Sequence, residues 1–285
     1  MLTACYDLAW SPPTYDAVAF ILHAEAVRVK LNEAHLKIII LPGPNGGFRQ
    51  DSLWPRSIDV RAAMLRDVVI PMCELLPSCV SVEQFARNNR GVTSKPVIGV
   101  GQSLYGLSRM VTAIAAIGRP LRAKLKPRNS KLVTITLREC EHWPARNSNV
   151  KEWLAAASTI QNLGFHVTFV RDSYQAGSRF NLFPIHATAS SDLHARASLY
   201  SSAFCNLFVS NGPAWLAIAL DAPVLMLKPT TESLGGCYGG GYLASCGLSP
   251  NTQLPNSPIY QRIVWQDDNA ANIVVAFESF VKAVS

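Results

Sequence analysis

"NLFVSNGPAWLAIALDAPVLMLK", residues 206–228, decides how this chain is built. Asn206 to Ser210 is a short apolar run that reads as a strand buried on both faces. Pro213 then stands where a helix starts, a position at which its missing N–H costs nothing and its fixed φ is already helical. The helix runs over Pro213 to Leu220, and a second apolar run, Pro223 to Leu227, follows at once. A strand, a helical crossover and a strand make a β-α-β unit, and such a crossover leaves its two strands parallel.

The same alternation extends in both directions. Before this unit come a strand at Leu132 to Leu137, a helix at Val150 to Leu163, a strand at Phe165 to Val170 and a helix at Asp192 to Ala203. After it, "VWQDDNAANIVVAFESFVKAV" closes the chain with an amphipathic helix capped by Asp268 or Asn269. In the first half a strand is expected at Tyr6 to Trp10. A helix from Thr14 to Leu31 follows, with Thr14 as cap and Ala17, Phe20, Ile21, Ala24, Val27 and Leu31 at helical spacing. A buried strand at Leu36 to Pro42, a helix around Asp59 to Leu76 and a short strand in "KPVIGVGQ" (95–102) complete that half. "GRPLRAKLKPRNSK" (118–131) is basic, carries two prolines and lacks periodicity, as a linker does. The expected fold is α/β: two Rossmann-like, doubly wound parallel-sheet domains facing a cleft, at residues 1–125 and 126–285, without solenoid repeats.

The 285 residues are 49% hydrophobic and 16% charged, enough to bury a large core and unlike a disordered chain. Cys5, Cys73, Cys79, Cys140, Cys205, Cys237 and Cys246 contain no CxxC pair and sit mostly in or beside apolar runs, which predicts reduced thiols and no zinc site. Asp7 and Asp16 interrupt the N-terminal apolar residues and Pro12-Pro13 break them, so no signal peptide is expected. No stretch reaches the roughly 18 apolar residues of a membrane span. These features predict a cytoplasmic protein, at most peripheral to the inner face of a membrane. The charge of +7 is lopsided: residues 1–128 hold 16 basic against 9 acidic side chains, and 129–285 hold 10 against 10. A basic half beside a neutral one suggests an anionic partner such as a phosphorylated saccharide or an anionic membrane surface, or only a soluble basic face. Nucleic acid is not expected, since RNA-type aromatic motifs are missing.

Two places carry polar groups at strand ends. Ser210-Asn211-Gly212 lies between an apolar strand and a helix, where unpaired N–H groups and the helix dipole favour an anion such as phosphate; plain capping by Ser210 or Asn211 is the alternative. "TITLRECEHWPARNSN" (134–149) crowds Arg138, Glu139, Glu141, His142, Arg146, Asn147 and Ser148 into the end of another strand. Asn147 and Ser148 are expected to cap the helix that follows. No GxGxxG follows a strand and no GxxxxGK[ST] occurs, which removes the usual dinucleotide and P-loop readings. "GGCYGGG" (235–241) reads equally as a loop over a ligand or a tight turn. No DxD stands at a strand end and no His, Asp and Glu ligands cluster, so neither a metal nor any other cofactor is expected.

"VTITLRE" (133–139) followed by "PARNSNVKEWLAAASTIQNLGFHVTFVRD" (144–172), and "LYSSAFCNLFVSNGPAWLAIALDAPVLML" (199–227), resemble the nucleotide-sugar-binding domain of GT-B glycosyltransferases of the heptosyltransferase-like and fucosyltransferase-like kind. The resemblance covers roughly residues 131–228. It implies an enzyme that moves a sugar from a nucleotide-diphosphate sugar to a saccharide or cell-surface glycan acceptor. It also implies that an arginine just past the first strand pairs with the diphosphate, which is the place of Arg138, with Arg146 second. A guanidinium suits that task because it binds phosphate oxygens in bidentate fashion. A salt bridge to Glu139 or Glu141 is the plainer role for Arg138. Inverting transfer needs a base for the acceptor's proton. Asp16, near the first β-α loop, is the first candidate and Glu139 the second, with His142 read as a surface residue. A nucleotide-sugar epimerase or hydrolase, and a non-catalytic binding protein of the same fold, are the alternatives.

Overall fold

The computed structural model describes residues 1–50, 56–85, 106–123, 129–141, 143–172, 175, 180, 182–227 and 240–284. The chain divides into two compact units, Met1–Arg122 and Ala123–Ser285. Both are parallel β-sheets with helices, two Rossmann-like lobes. Among the described residues no helix is long and apolar enough to cross a membrane.

Among the described residues the first unit has three strands in the order β1 (Leu2–Asp7), β2 (Leu36–Leu41), β3 (Cys79–Gln84), all parallel. Strand β1 lies earlier than the sequence suggests. Asp7 ends it: its carbonyl accepts from Trp10 N at 3.1 Å and Ser11 N at 2.8 Å, and its Oδ1 accepts from Ala9 N at 2.8 Å, an Asx turn that diverts the backbone from the ladder. Helix α1 is Ala17–Lys30, entered by tight i→i+3 bonds from Ala17, Val18 and Ala19 to the carbonyls of Thr14, Tyr15 and Asp16. The Thr14 hydroxyl accepts from Asp16 N at 3.2 Å, so Thr14 shapes the lead-in turn and not the helix end.

The next helix is not continuous. Helix α2 (Ile58–Met64) passes through a π turn, Leu65–Val69, into α3 (Ile70–Glu74). Pro71 has no N–H and its ring collides with the carbonyl four residues back in a regular helix, which accounts for the widened turn just before it. Strand β3 and helix α4 (Gly106–Ile117) were not expected, and "KPVIGVGQ" lies outside the described residues. Helix α4 packs on α1. After β2 the chain folds back tightly: Gly43 N donates to Gly47 O at 2.7 Å, and a Cβ on Gly43 would stand 2.3 Å from Phe48 C and 2.6 Å from Leu8 O. Because both obstacles are backbone, Gly43→Ala is expected to cost about 1–3 kcal/mol in urea unfolding, the usual range for overpacking. An unchanged midpoint would show that the turn has room.

Some of this unit's basic side chains are engaged within it. Arg28 pairs with Glu25 at 2.7 Å, Lys37 with Glu83 at 2.7 Å and Arg66 with Asp67 at 2.6 Å, while Arg61 is buried and donates to Arg49 O at 2.6 Å.

Among the described residues the second unit has five parallel strands in the order β5-β4-β6-β7-β8: β4 (Asn129–Thr136), β5 (His166–Val170), β6 (Ala203–Val209), β7 (Val224–Leu227) and β8 (Gln261–Val264). Its helices are α5 (Val150–Asn162), α6 (Ala187–Ser191), α7 (Leu193–Ser202), α8 (Gly212–Ala219), α9 (Gly240–Ser245) and α10 (Ala270–Val284). The core joins Val133, Ile135, Trp153, Phe169, Leu207, Leu225, Phe277 and Phe280, all buried. Helices α5 and α10 cap one another. Asn269 Oδ1 accepts from Asn272 N at 2.9 Å and caps α10, whereas buried Asp268 accepts from Asn149 N at 2.8 Å and Trp153 Nε1 at 2.9 Å at the start of α5. Glu152 returns the bond by accepting from Ala270 N at 2.8 Å. Asn147 and Ser148 therefore do not cap α5; Asp268 serves that end from 119 residues away.

Chain order and sheet order part company at one place. The first strand of the unit, β4, has β5 on one side and β6 on the other, so the crossovers leave in opposite directions and the loops after β4 and β6 open a crevice at the carboxyl end of the sheet.

Candidate functional site

The loop after β4 is built from its own side chains. Arg138 N donates to Ser148 Oγ at 2.9 Å and Ser148 N to Arg138 O at 2.9 Å, which closes the two ends of the loop together. Inside that closure Asn147 Oδ1 accepts from Cys140 N at 3.1 Å and Nδ2 donates to Cys140 O at 2.9 Å, so the amide replaces a backbone ladder. At the tip, Trp143 has φ 55° and ψ 65°, and Pro144–Arg146 form a single 3-10 turn. A left-handed backbone brings Cβ against the carbonyl and costs an L-residue about 1–2 kcal/mol. The two arginines use this loop differently. Arg138 Nη1 donates to Trp143 O at 3.0 Å and to Asn147 Oδ1, whereas Arg146 reaches out of the loop. Arg146 Nη2 donates to Ser210 O at 3.2 Å, and its guanidinium lies 5.9 Å from the Trp143 ring centroid.

Ser210 belongs to the second loop, after β6. Its N–H donates to Leu227 O at 3.1 Å, extending the ladder by one residue. Asn211 follows in extended conformation at the N-cap of α8, and its Oδ1 accepts from Ala214 N at 2.9 Å. Pro213 has no N–H and Asn211 holds the N–H of Ala214, so this helix start offers an anion fewer donors than the sequence suggests. Arg146, Ser210, Asn211 and Gly212 thus come together at the crevice between β4 and β6.

Glu139 points elsewhere. Arg171 Nε donates to its Oε2 at 2.8 Å and Nη2 to its Oε1, a bidentate pair with side chains 10% and 14% exposed. A carboxylate with both oxygens engaged by a guanidinium is poorly placed to accept a proton, which corrects its reading as a base. The pair is part of a larger cluster that sequence reading missed. Asp172 Oδ2 accepts from Glu139 N at 2.7 Å, Arg171 N donates to Ser190 Oγ at 3.2 Å, and buried Arg196 Nε donates to Ala189 O at 2.5 Å. Burial pushes the Asp172 carboxyl up, against the Glu139 N–H and the Arg196 charge that pull it down. Arg138 is not the salt-bridge partner of Glu139 that proximity in sequence suggests.

Asp16 is exposed on the first unit at the start of α1. Its backbone is helical, φ −61° and ψ −18°, and its side chain accepts no N–H of the helix. Capping therefore does not explain it. Tyr6 lies within reach of its field: burial first, and then the Asp16 charge, push the Tyr6 hydroxyl well up, and that hydroxyl donates to Pro12 O at 2.5 Å. His142 and "GGCYGGG" up to residue 239 lie outside the described residues, as does Cys237; the other six cysteines are free thiols.

No family model and no curated protein matches the chain. Solved structures do, through the fold. The ADP-heptose LPS heptosyltransferase II of E. coli is 9% identical with a TM-score of 0.54, each chain covered to 100%. The glycosyl transferase family 9 protein of Veillonella parvula is 8% identical with a TM-score of 0.53, over 98% of this chain and 97% of that one. The heptosyltransferase TibC of enterotoxigenic E. coli, in complex with ADP-D-beta-D-heptose, is 13% identical with a TM-score of 0.52, over 99% of this chain and 76% of that one. TibC contains iron, which corrects the expectation that this fold goes without a cofactor. Among the described residues no three His, Cys, Asp or Glu side chains converge to hold a metal ion, so none of them is assigned to iron.

Proposed function

We propose that the chain is a glycosyltransferase that takes a nucleotide-diphosphate sugar on its second unit and transfers the sugar to a saccharide acceptor. One observation carries this reading: Arg146 Nη2 donates to Ser210 O at 3.2 Å, which brings a guanidinium from the loop after β4 to the turn after β6 that opens α8. In open α/β sheets ligands bind at such a switch point, and a guanidinium suits a diphosphate. The complex of TibC with ADP-D-beta-D-heptose supports a nucleotide-sugar donor for the fold.

In the transfer the bond between the anomeric carbon and the diphosphate oxygen breaks, and the acceptor oxygen forms the new bond after giving up its proton. Negative charge grows on the leaving diphosphate. Arg146 stabilises it there, and being held in place beforehand it needs no reorganisation as the bond breaks. Arg138 acts on the shape of the loop, since its guanidinium is bonded to Trp143 O and Asn147 Oδ1. Asp16 takes the acceptor's proton.

Calorimetry with ADP, GDP and UDP tests the donor site. Arg146→Ala is expected to weaken the nucleotide that binds best by about 10-fold or more, the loss of a charge-assisted contact of about 1.5–3 kcal/mol. Unchanged affinity would remove the diphosphate from this crevice. Incubation with the matching nucleotide sugars then separates transfer from binding alone, because only a transferase or hydrolase releases the diphosphate.

A further inference from the structure

Among the described residues the large apolar side chains that stand exposed are aliphatic with one exception, Trp10, which is 56% exposed. It lies in the loop between β1 and α1, just past the carboxyl end of a strand, the edge at which open α/β sheets bind their ligands. Exposure alone says little, since single apolar side chains are common on protein surfaces. The loop beneath the ring says more.

The backbone of Trp10 is held on both sides. Its N–H donates to Asp7 O at 3.1 Å, and its carbonyl accepts from Arg49 Nη1 at 3.2 Å. Arg49 is located in turn by buried Arg61, whose Nη1 donates to Arg49 O at 2.6 Å. On either side of the indole, Ala9 N donates to Asp7 Oδ1 at 2.8 Å and Ser11 N to Asp7 O at 2.8 Å, and the buried Tyr6 hydroxyl donates to Pro12 O at 2.5 Å. Leu8, Ser11, Pro12 and Pro13 are buried, so from residue 8 to residue 16 the loop exposes two side chains, Trp10 and Asp16. A folded, proline-bearing loop therefore presents one flat apolar ring and one carboxylate.

We infer that Trp10 is a saccharide-binding residue, its indole receiving the C–H face of a pyranose ring. This rests on the transfer proposed above, in which that saccharide is the acceptor and Asp16 takes its proton. A pyranose is apolar on its ring face and polar around its rim, so it calls for a flat apolar surface with a hydrogen-bond acceptor in the same site, and the loop exposes one of each. An indole on a fixed backbone has two torsions to order, which keeps the entropy cost of the contact low. An anionic membrane fits less well: the loop offers one ring and not an apolar face, and its carboxylate repels acidic head groups.

The test follows the NMR signal of the Trp10 indole N–H in the full chain, identified by its loss in Trp10→Phe. The probes are the methyl glycosides of glucose, galactose and mannose, with glycerol as the control that has hydroxyls but no ring face. A saturable shift with at least one glycoside, and none with glycerol, is expected. Affinity for that glycoside, read on its own protons by saturation transfer from the protein, is expected to fall about tenfold in Trp10→Ala, the equivalent of roughly 55 Å² of apolar surface withdrawn from water. Trp10→Phe keeps a ring and is expected to stay within about twofold of the parent. Trp10→Ala is expected to bind the best diphosphate among ADP, GDP and UDP as the parent does, because the donor is assigned to the second unit. No shift with any of the three glycosides, parental glycoside affinity in Trp10→Ala, or a loss of diphosphate affinity in that variant would overturn the inference. Vesicles of phosphatidylglycerol and phosphatidylcholine that broaden the signal where the glycosides leave it unmoved would give the ring to a membrane instead. Transfer is read separately: a glycoside bound at Trp10 in a chain that consumes no nucleotide sugar would leave the saccharide site standing and refute the transfer, and turnover of nucleotide sugar with no glycoside at Trp10 would do the reverse.

Discussion

Asn206→Leu is expected to destabilise the second unit by about 3–5 kcal/mol, because three buried partners lose their bonds at once. Asn206 is fully buried in β6. Its Oδ1 accepts from Thr134 Oγ1 of β4 at 2.6 Å, and its Nδ2 donates to Tyr200 O at 2.9 Å and to Pro223 O at 2.8 Å. One amide therefore ties the central strand to its neighbour, to the end of α7 and to the entry of β7. Leucine keeps the branched shape of asparagine and is larger, so the cost comes from stranded polar groups, with some crowding added, and not from a cavity. Urea unfolding is expected to show a lower midpoint with an unchanged slope. Adding Thr134→Val is expected to recover part of the loss, since replacing both partners of a buried hydrogen bond by apolar groups is far cheaper than replacing one. A cost below about 1 kcal/mol, or no recovery in the double variant, would mean that water satisfies these groups and the network does not stabilise the sheet.

Asn206 also shows which parts of the fold could be read in advance. Strands β2, β4, β5, β6 and β7 stood out because each has a mainly apolar stretch, broken by single residues such as Lys37, Thr134, Thr168 and Asn206, as a parallel strand covered on both faces requires. Strands β3 and β8 escaped because each stands at the end of its described sheet. "CVSVEQ" places Ser81 and Glu83 among its valines, and "QRIV" begins with two polar residues. Gln261 is buried all the same, its Nε2 donating to Ile218 O at 3.2 Å and Ala222 O at 3.0 Å. Nothing local to the sequence marks a glutamine that replaces part of a ladder.

The candidate site was legible as a place but not as a set of partners. The polar crowd after β4 and the turn after β6 stood out because strand ends are where side chains can leave a sheet. Which arginine faces which group depends on contacts from afar: Glu139 is claimed by Arg171, 32 residues away, and Arg146 by Ser210, 64 residues away. The resemblance placed the diphosphate on Arg138, next to the strand, whereas the loop's closure turns that side chain inward and leaves Arg146 at the crevice.

Asp16→Asn is expected to lower the turnover of the nucleotide sugar by about 10²–10⁴-fold, the usual contribution of a general base, while nucleotide affinity stays as in the parent. The two effects separate because the donor's diphosphate is assigned to the second unit and Asp16 lies on the first. An asparagine keeps the shape and much of the hydrogen bonding of aspartate but cannot take a proton. The Asp16 side chain is exposed and accepts no helix N–H, so the substitution removes no helix cap. Glu139→Gln supplies the control. It removes a charge from the bidentate pair with Arg171, buried at 10% and 14% exposure, so it is expected to lower the melting temperature first and turnover only as folded protein is lost. Turnover is read as release of nucleoside diphosphate, with the folded fraction measured in the same samples. A folded Asp16→Asn with parental turnover, beside a folded Glu139→Gln without it, would reverse the assignment and place the base on the strand end of the second unit.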